Sequence, residues 1–174
     1  MKNWLLPIIV IVVSVNLSSV LQAEAIGTIS LGNKTASVVD AVGYMDGGDV
    51  VIKLYATQLS SEERKKESLT WSQPPLQIGY LNLLLKPGVS SLEISALRGI
   101  DLHISAGPVN PILDNGPSTG ASNQVLSELP SLVSKLSGQL LPRAPITIET
   151  SGSMKGMHEV LAWKLLIKTE LKEK

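Results

Sequence analysis

The sequence predicts a mainly β protein: an antiparallel β-sandwich or strongly curved sheet of about seven or eight strands, with one short and one longer helix packed on it. Three observations carry this. Apolar and polar residues alternate with a period of two over several runs. Turns bearing Gly, Pro or Asn separate those runs at short intervals. Aromatic content is only 3% and Phe is absent, so the core must come from Leu, Ile and Val. An α+β single-sheet arrangement is the alternative.

The most informative stretch is Val38 to Thr57, where two β-type runs flank Asp46-Gly47-Gly48-Asp49. Gly-Gly between such runs signals a two-residue hairpin, since its turn types need positive φ. The register then sets Asp46 opposite Asp49, Tyr44 opposite Val51, Gly43 opposite Ile52 and Ala41 opposite Leu54. One face carries Val39, Ala41, Gly43 and Met45 against Val50, Ile52, Leu54 and Ala56, and belongs in a core. The other carries Val38, Asp40, Val42 and Tyr44 against Val51, Lys53, Tyr55 and Thr57, and reads as half-solvated. A slip of one residue would mix the faces.

The remaining elements follow in order. Ile26 to Leu31 is a short strand with a turn at Gly32-Asn33-Lys34. Ser60 and Glu63 form a capping box that starts a short helix, with Glu62 and Lys66 spaced to pair. Pro74-Pro75 marks a linker that holds Trp71. Leu76 to Leu85, apolar on both faces, suits a central strand. Leu92 to Ser105 alternates throughout, as one long strand with a bulge at Gly99 or as two strands, with a break at Arg98-Gly99 the preferred reading. Ala106 to Ala121 is the longest irregular stretch and the loop to watch. Ser122 to Gly138 has helical spacing in Val125, Leu126, Leu129, Leu132, Val133 and Leu136, interrupted by Pro130. Pro145 to Thr150 is a strand, Ser151 to Gly156 a polar turn, and Glu159 to Leu171 a final strand of period two.

Residues 1–25 read as a signal peptide: Lys2, an apolar run from Trp4 to Val15, a polar transition, and Ala23-Glu24-Ala25 before Ile26. A cut before Glu24 is the second choice, and an uncleaved anchor the third. Residues 26–174 form one domain, periplasmic or secreted, long enough to fold without staples. Cysteine is absent, which removes disulfides, thiolate metal sites and cysteine nucleophiles. Fifteen basic and fifteen acidic residues cancel, so no global field draws nucleic acid or anionic membrane.

Candidate chemistry is sparse. Asp101, His103 and Ser105 share one strand face and have the residue types of a hydrolase, yet alternate side chains stand about 7 Å apart, too far for a nucleophile and its base. His103, His158, Asp114 and Glu159 lack the spacing of a metal site. Asp46 and Asp49 place like charges across the hairpin, which a calcium ion would relieve if more oxygen ligands joined them. Gly116 to Gly120 precedes the longer helix but lacks the lysine of a phosphate loop. No cofactor is expected. The chain reads as a non-catalytic exported protein that binds a protein partner or small apolar ligand in the cell envelope. The contact region would be the long loop and the helix after it. The alternatives are a hydrolase using His103 and a membrane-tethered structural protein.

Overall fold

Gly47 and Gly48 close the hairpin with φ of 61° and 95°, both positive as a type I′ turn requires. The strands they join, β3 (Asp40–Asp46) and β4 (Asp49–Tyr55), pair in the expected register from Asp46 opposite Asp49 to Asp40 opposite Tyr55. The computed structural model describes residues 24–69, 77–104, 119–123, 132–155 and 159–173.

The other described strands are β1 (Glu24–Leu31), β2 (Lys34–Val38), β5 (Gln77–Leu85), β6 (Leu97–Ile104), β7 (Thr119–Asn123), β8 (Val133–Gly138), β9 (Pro145–Lys155) and β10 (Val160–Glu173). The one described α-helix, α1 (Ser61–Lys66), starts at the expected capping box, with Glu63 N–H donating to Ser60 Oγ at 3.2 Å and Ser60 N–H to Glu63 Oε2 at 2.8 Å. The ten strands form one strongly curled sheet. One half runs β2-β1-β10-β9-β8, and the other runs β10-β3-β4-β5-β6-β7.

Two corners join the halves. After β2 the chain bends at Val39 and enters β3 in the other half. β10 pairs antiparallel with both β1 and β9. Its far end, Leu171 to Glu173, then runs parallel to Gly43, Tyr44 and Met45 of β3. The sheet is therefore mixed. On the opposite side, Leu92 N–H donates to the Gly138 carbonyl and Leu140 N–H to Ser90, both at 2.9 Å, drawing the two halves together.

One core fills the space between the halves. Ile29, Ile148, Leu161 and Ile167 of the first half meet Ile52, Leu54, Leu81, Leu83, Ile100 and Leu102 of the second. Gly43 is small because β10 crosses there: a Cβ would stand 3.0 Å from Thr169 Cγ2 and 3.2 Å from Ile52 Cδ1. Trp163 is satisfied within the core, its indole N–H donating to Thr150 Oγ1 at 2.9 Å, which donates to the Leu132 carbonyl at 2.7 Å.

Four expectations change. The helix expected over Ser122–Gly138 does not extend over that range: Ser122 and Asn123 belong to β7, Leu132 is helical, and Val133–Gly138 is β8. Val133 and Leu136 satisfy a helical stripe, but a shift of pairing between Val133 and Lys135 turns both into the core from a strand. Residues 124–131 lie outside the described residues. No break falls at Arg98-Gly99; the interruption is a single 3-10 turn at Ile94–Ala96, and β6 runs on through Arg98-Gly99 with a bulge there, since Leu84 pairs with Gly99 and Leu85 with Leu97, leaving Arg98 as the extra residue. Ser151 to Lys155 continue β9 rather than turning. The second hairpin face is buried, as described below.

Gly79 leaves no room for a side chain between β5 and β6, since a Cβ there would overlap the carbonyl oxygen of His103. Gly79→Ala is expected to lower stability by about 1–3 kcal/mol, read as a lower urea midpoint at unchanged slope.

Candidate functional site

Asp40, Val42, Tyr44, Lys53 and Tyr55 project from the outer face of β3 and β4, and all five are buried. The half-solvated face expected from the sequence is wrong because the chain after β4 folds back over it. Residues 56–69, α1 among them, cover this face and add Leu59 and Leu69 to a small apolar cluster with Val42, Tyr44 and Tyr55.

Buried charge is matched closely beneath this cover. Asp40 is fully buried and takes the Arg64 guanidinium on both oxygens. It also accepts from Ala41 N–H at 2.7 Å, Leu59 N–H at 2.8 Å and the Gln58 amide at 3.1 Å. Lys53 donates to Glu67 Oε1 at 2.5 Å and the Ser68 carbonyl at 2.8 Å. Lys172 reaches from β10 to the carbonyls of Arg64 and Glu67. Burial pushes its ammonium below the usual lysine range, with Glu67 opposing. Tyr44 lies between two ammonium groups, Lys53 at 5.8 Å and Lys172 at 6.0 Å from its ring centroid. Neither the Tyr44 nor the Tyr55 hydroxyl makes a hydrogen bond of normal geometry, though both stand near Glu67. The sequence held one clue to this cluster. An Asp and a Lys share a face with Val42, Tyr44 and Tyr55, and that face is too apolar for solvent.

The hairpin carboxylates have different surroundings from those a metal site needs. Asp49 accepts Leu85 N–H at 2.7 Å and pairs with Arg98 at 3.3 Å, so the backbone of β5 and the basic side chain at the β6 bulge answer the charge facing Asp46. Among the described residues no three His, Asp or Glu side chains gather as metal ligands. His103 stacks on Tyr80, directly opposite on β5, with ring centroids 4.7 Å apart and planes 18° from parallel. Asp101 shares its strand face, while Ser105, Asp114 and His158 lie outside the described residues, as does most of the loop Ala106 to Ala121. Thr119 and Gly120 begin a strand, so Gly116 to Gly120 does not lead into a helix.

Two open grooves are lined by described residues. One, of about 470 Å³, lies beside the hairpin turn, but Asp49 and Arg98 within it hold each other and Lys86 donates to the Ser95 carbonyl. The other, of about 420 Å³, lies on the outer face of β1, β10, β9 and β8. Registers set Thr28 and Ser151 on either side of Lys164, and Glu149 opposite Leu166, with Ser134 at the β8 edge. Lys164 and Glu149 are exposed and have no ion-pair partner among the described residues, and Leu166 is an exposed large apolar side chain. These residues are far apart in sequence, and only the strand order gathers them. The chain matches no family model, no curated protein and no solved structure.

The phenols give a pH dependence. Burial first, then the nearby Glu67 charge, pushes Tyr44 and Tyr55 far above the ordinary tyrosine value, and Tyr80 rises less, through burial and Asp101. A folded-state value above the unfolded one stabilises the fold fully below about pH 10, and this contribution is lost as pH climbs further. Tyrosinate absorbance at 295 nm is therefore expected to lag free tyrosine and to rise together with loss of structure. Replacing Tyr44 and Tyr55 by Phe should extend stability to higher pH. A smooth titration near pH 10 with the fold intact would contradict this assignment.

Proposed function

We propose that this protein is a non-catalytic binding protein of the cell envelope, exported through its N-terminal segment, which holds a protein partner or small ligand in the groove around Lys164. The observation that carries this reading is the contrast in side-chain engagement. Asp40, Lys53, Arg64, Glu67, Asp49 and Arg98 are committed to internal pairs, whereas Lys164 and Glu149 flank a groove with no ion-pair partner among the described residues, beside exposed Leu166. Free charge next to apolar surface and hydroxyls suits recognition, with orientation fixed by the polar groups and contact area supplied by Leu166. The space between the sheet halves is filled by core side chains, which favours the surface groove over the interior for a ligand.

Export rests on Lys2, the apolar run and Ala23-Glu24-Ala25. Glu24 and Ala25 pair with Lys168 and Ile167, so a cut before Ile26 would remove two paired residues of β1 that a cut before Glu24 keeps. This supports the earlier cut.

Two measurements test the reading. Intact mass of the exported protein should give a chain starting at Glu24; a retained Met1 would support the tethered alternative. Capture from envelope extract should yield a species that is lost with Lys164→Glu combined with Leu166→Asp, at unchanged melting temperature. An identical captured set with the variant would remove the groove from consideration.

A further inference from the structure

We propose that residues 56–69 form a latch that opens as a unit, exposing the outer face of β3 and β4, while the rest of the sheet stays folded. This goes beyond the groove reading and does not depend on it, because the latch and the groove lie on different halves of the sheet.

The connection itself is unusual. β4 and β5 are antiparallel neighbours and Tyr55 stands opposite Gln77, so a tight turn would join them. Instead the chain leaves after Tyr55, runs back across β3, and returns to β5. The ends of the excursion are adjacent, so its opening requires no movement of the strands that flank it.

Little apolar contact holds it. α1 buries none of its residues, and six residues do not make a stable helix alone. Only Ala56, at its hinge, packs on the main core; beyond it the segment supplies buried Leu59 and half-buried Leu69 to a separate cluster. What fastens it is charge, at three points from three strands. Asp40 of β3 holds Arg64, Lys53 of β4 holds Glu67, and Lys172 of β10 holds the carbonyls at the end of α1. Each contact joins the latch to the sheet. Losing one leaves a buried charge unpaired, and opening the latch hydrates it without disturbing the core. The face uncovered carries Val42, Tyr44 and Tyr55 between Asp40 and Lys53, a polar-aromatic surface that is otherwise concealed.

Amide hydrogen exchange on the full chain at neutral pH, followed by mass spectrometry in increasing sub-denaturing urea, tests this directly. In the wild type, amides of Leu59, Arg64 and Glu67 should exchange through an opening that is nearly insensitive to urea, while amides of β9 and β10 exchange only through urea-sensitive unfolding. Asp40→Asn or Glu67→Gln should speed exchange in the latch by roughly ten- to a hundredfold, the range for losing one hydrogen bond to a charged group, with β9 and β10 unchanged. Trypsin should then cut first within Arg64–Lys66. Latch amides that share the urea dependence of β10 in the wild type would overturn the proposal, as would variants that accelerate all segments equally. The wild-type arm decides even if a variant fails to fold.

Discussion

The pairing of β10 on both edges is the constraint on which this structure depends. From Leu161 to Lys168 it is hydrogen-bonded to β1 on one side and β9 on the other, and by Leu171 it has become a neighbour of β3. A flat sheet cannot give one strand β1 and β3 in succession along the same edge. The sheet must curl, and the curl brings the two inner faces together over a single Leu-, Ile- and Val-rich core. Strict alternation in β10 serves this geometry. Leu161, Trp163, Leu165, Ile167, Thr169 and Leu171 point inward, while the residues between them remain at the surface. The small Gly43 marks the point where β10 meets the second half.

Curling solves the problem of one face and creates another. The outer side of β3 and β4 carries two tyrosines and a valine among its polar groups, too much apolar surface to leave open. Covering it traps Asp40 and Lys53, and a trapped charge is tolerable only with a hydrogen-bonded partner. The covering segment brings Arg64 and Glu67 for that purpose, and β10 adds Lys172. Sheet curvature, cover and charge network thus form one linked arrangement. The groove face of the other half is different in kind. Its outward residues are mostly Thr28, Ser134, Ser151 and charged side chains, which water accepts without a cover, with Leu166 the large apolar exception.

Local physics was legible in the sequence. The Gly-Gly hairpin and its register, the capping box at Ser60 and the period-two pattern of β10 were each decided by neighbours a few residues away. The errors share a cause. Val133 and Leu136 fit a helical stripe and also fit a strand with a shifted pairing, and β9 chose between them by offering Ile148 and Thr150 as partners. Asp40 and Lys53 looked like surface because the segment that buries them is distant from Asp40 in sequence. The groove was illegible for the same reason, since Thr28, Ser151 and Lys164 meet only through strand order. Asp46 and Asp49 were correctly paired, but Arg98, which answers them, is brought near by β6 rather than by the hairpin.

The long reach of β10 also imposes an order in time. Glu24 waits for Lys168, and Gly43 for Leu171, so two strands made early, β1 and β3, lack a neighbour until β10 is synthesised. Pairings this distant in sequence form slowly, because a large loop must close before any contact rewards it. A nascent chain built this way cannot complete its core until its last strand is made. Until then the free edges of β1 and β3 are exposed to aggregation and to chaperones.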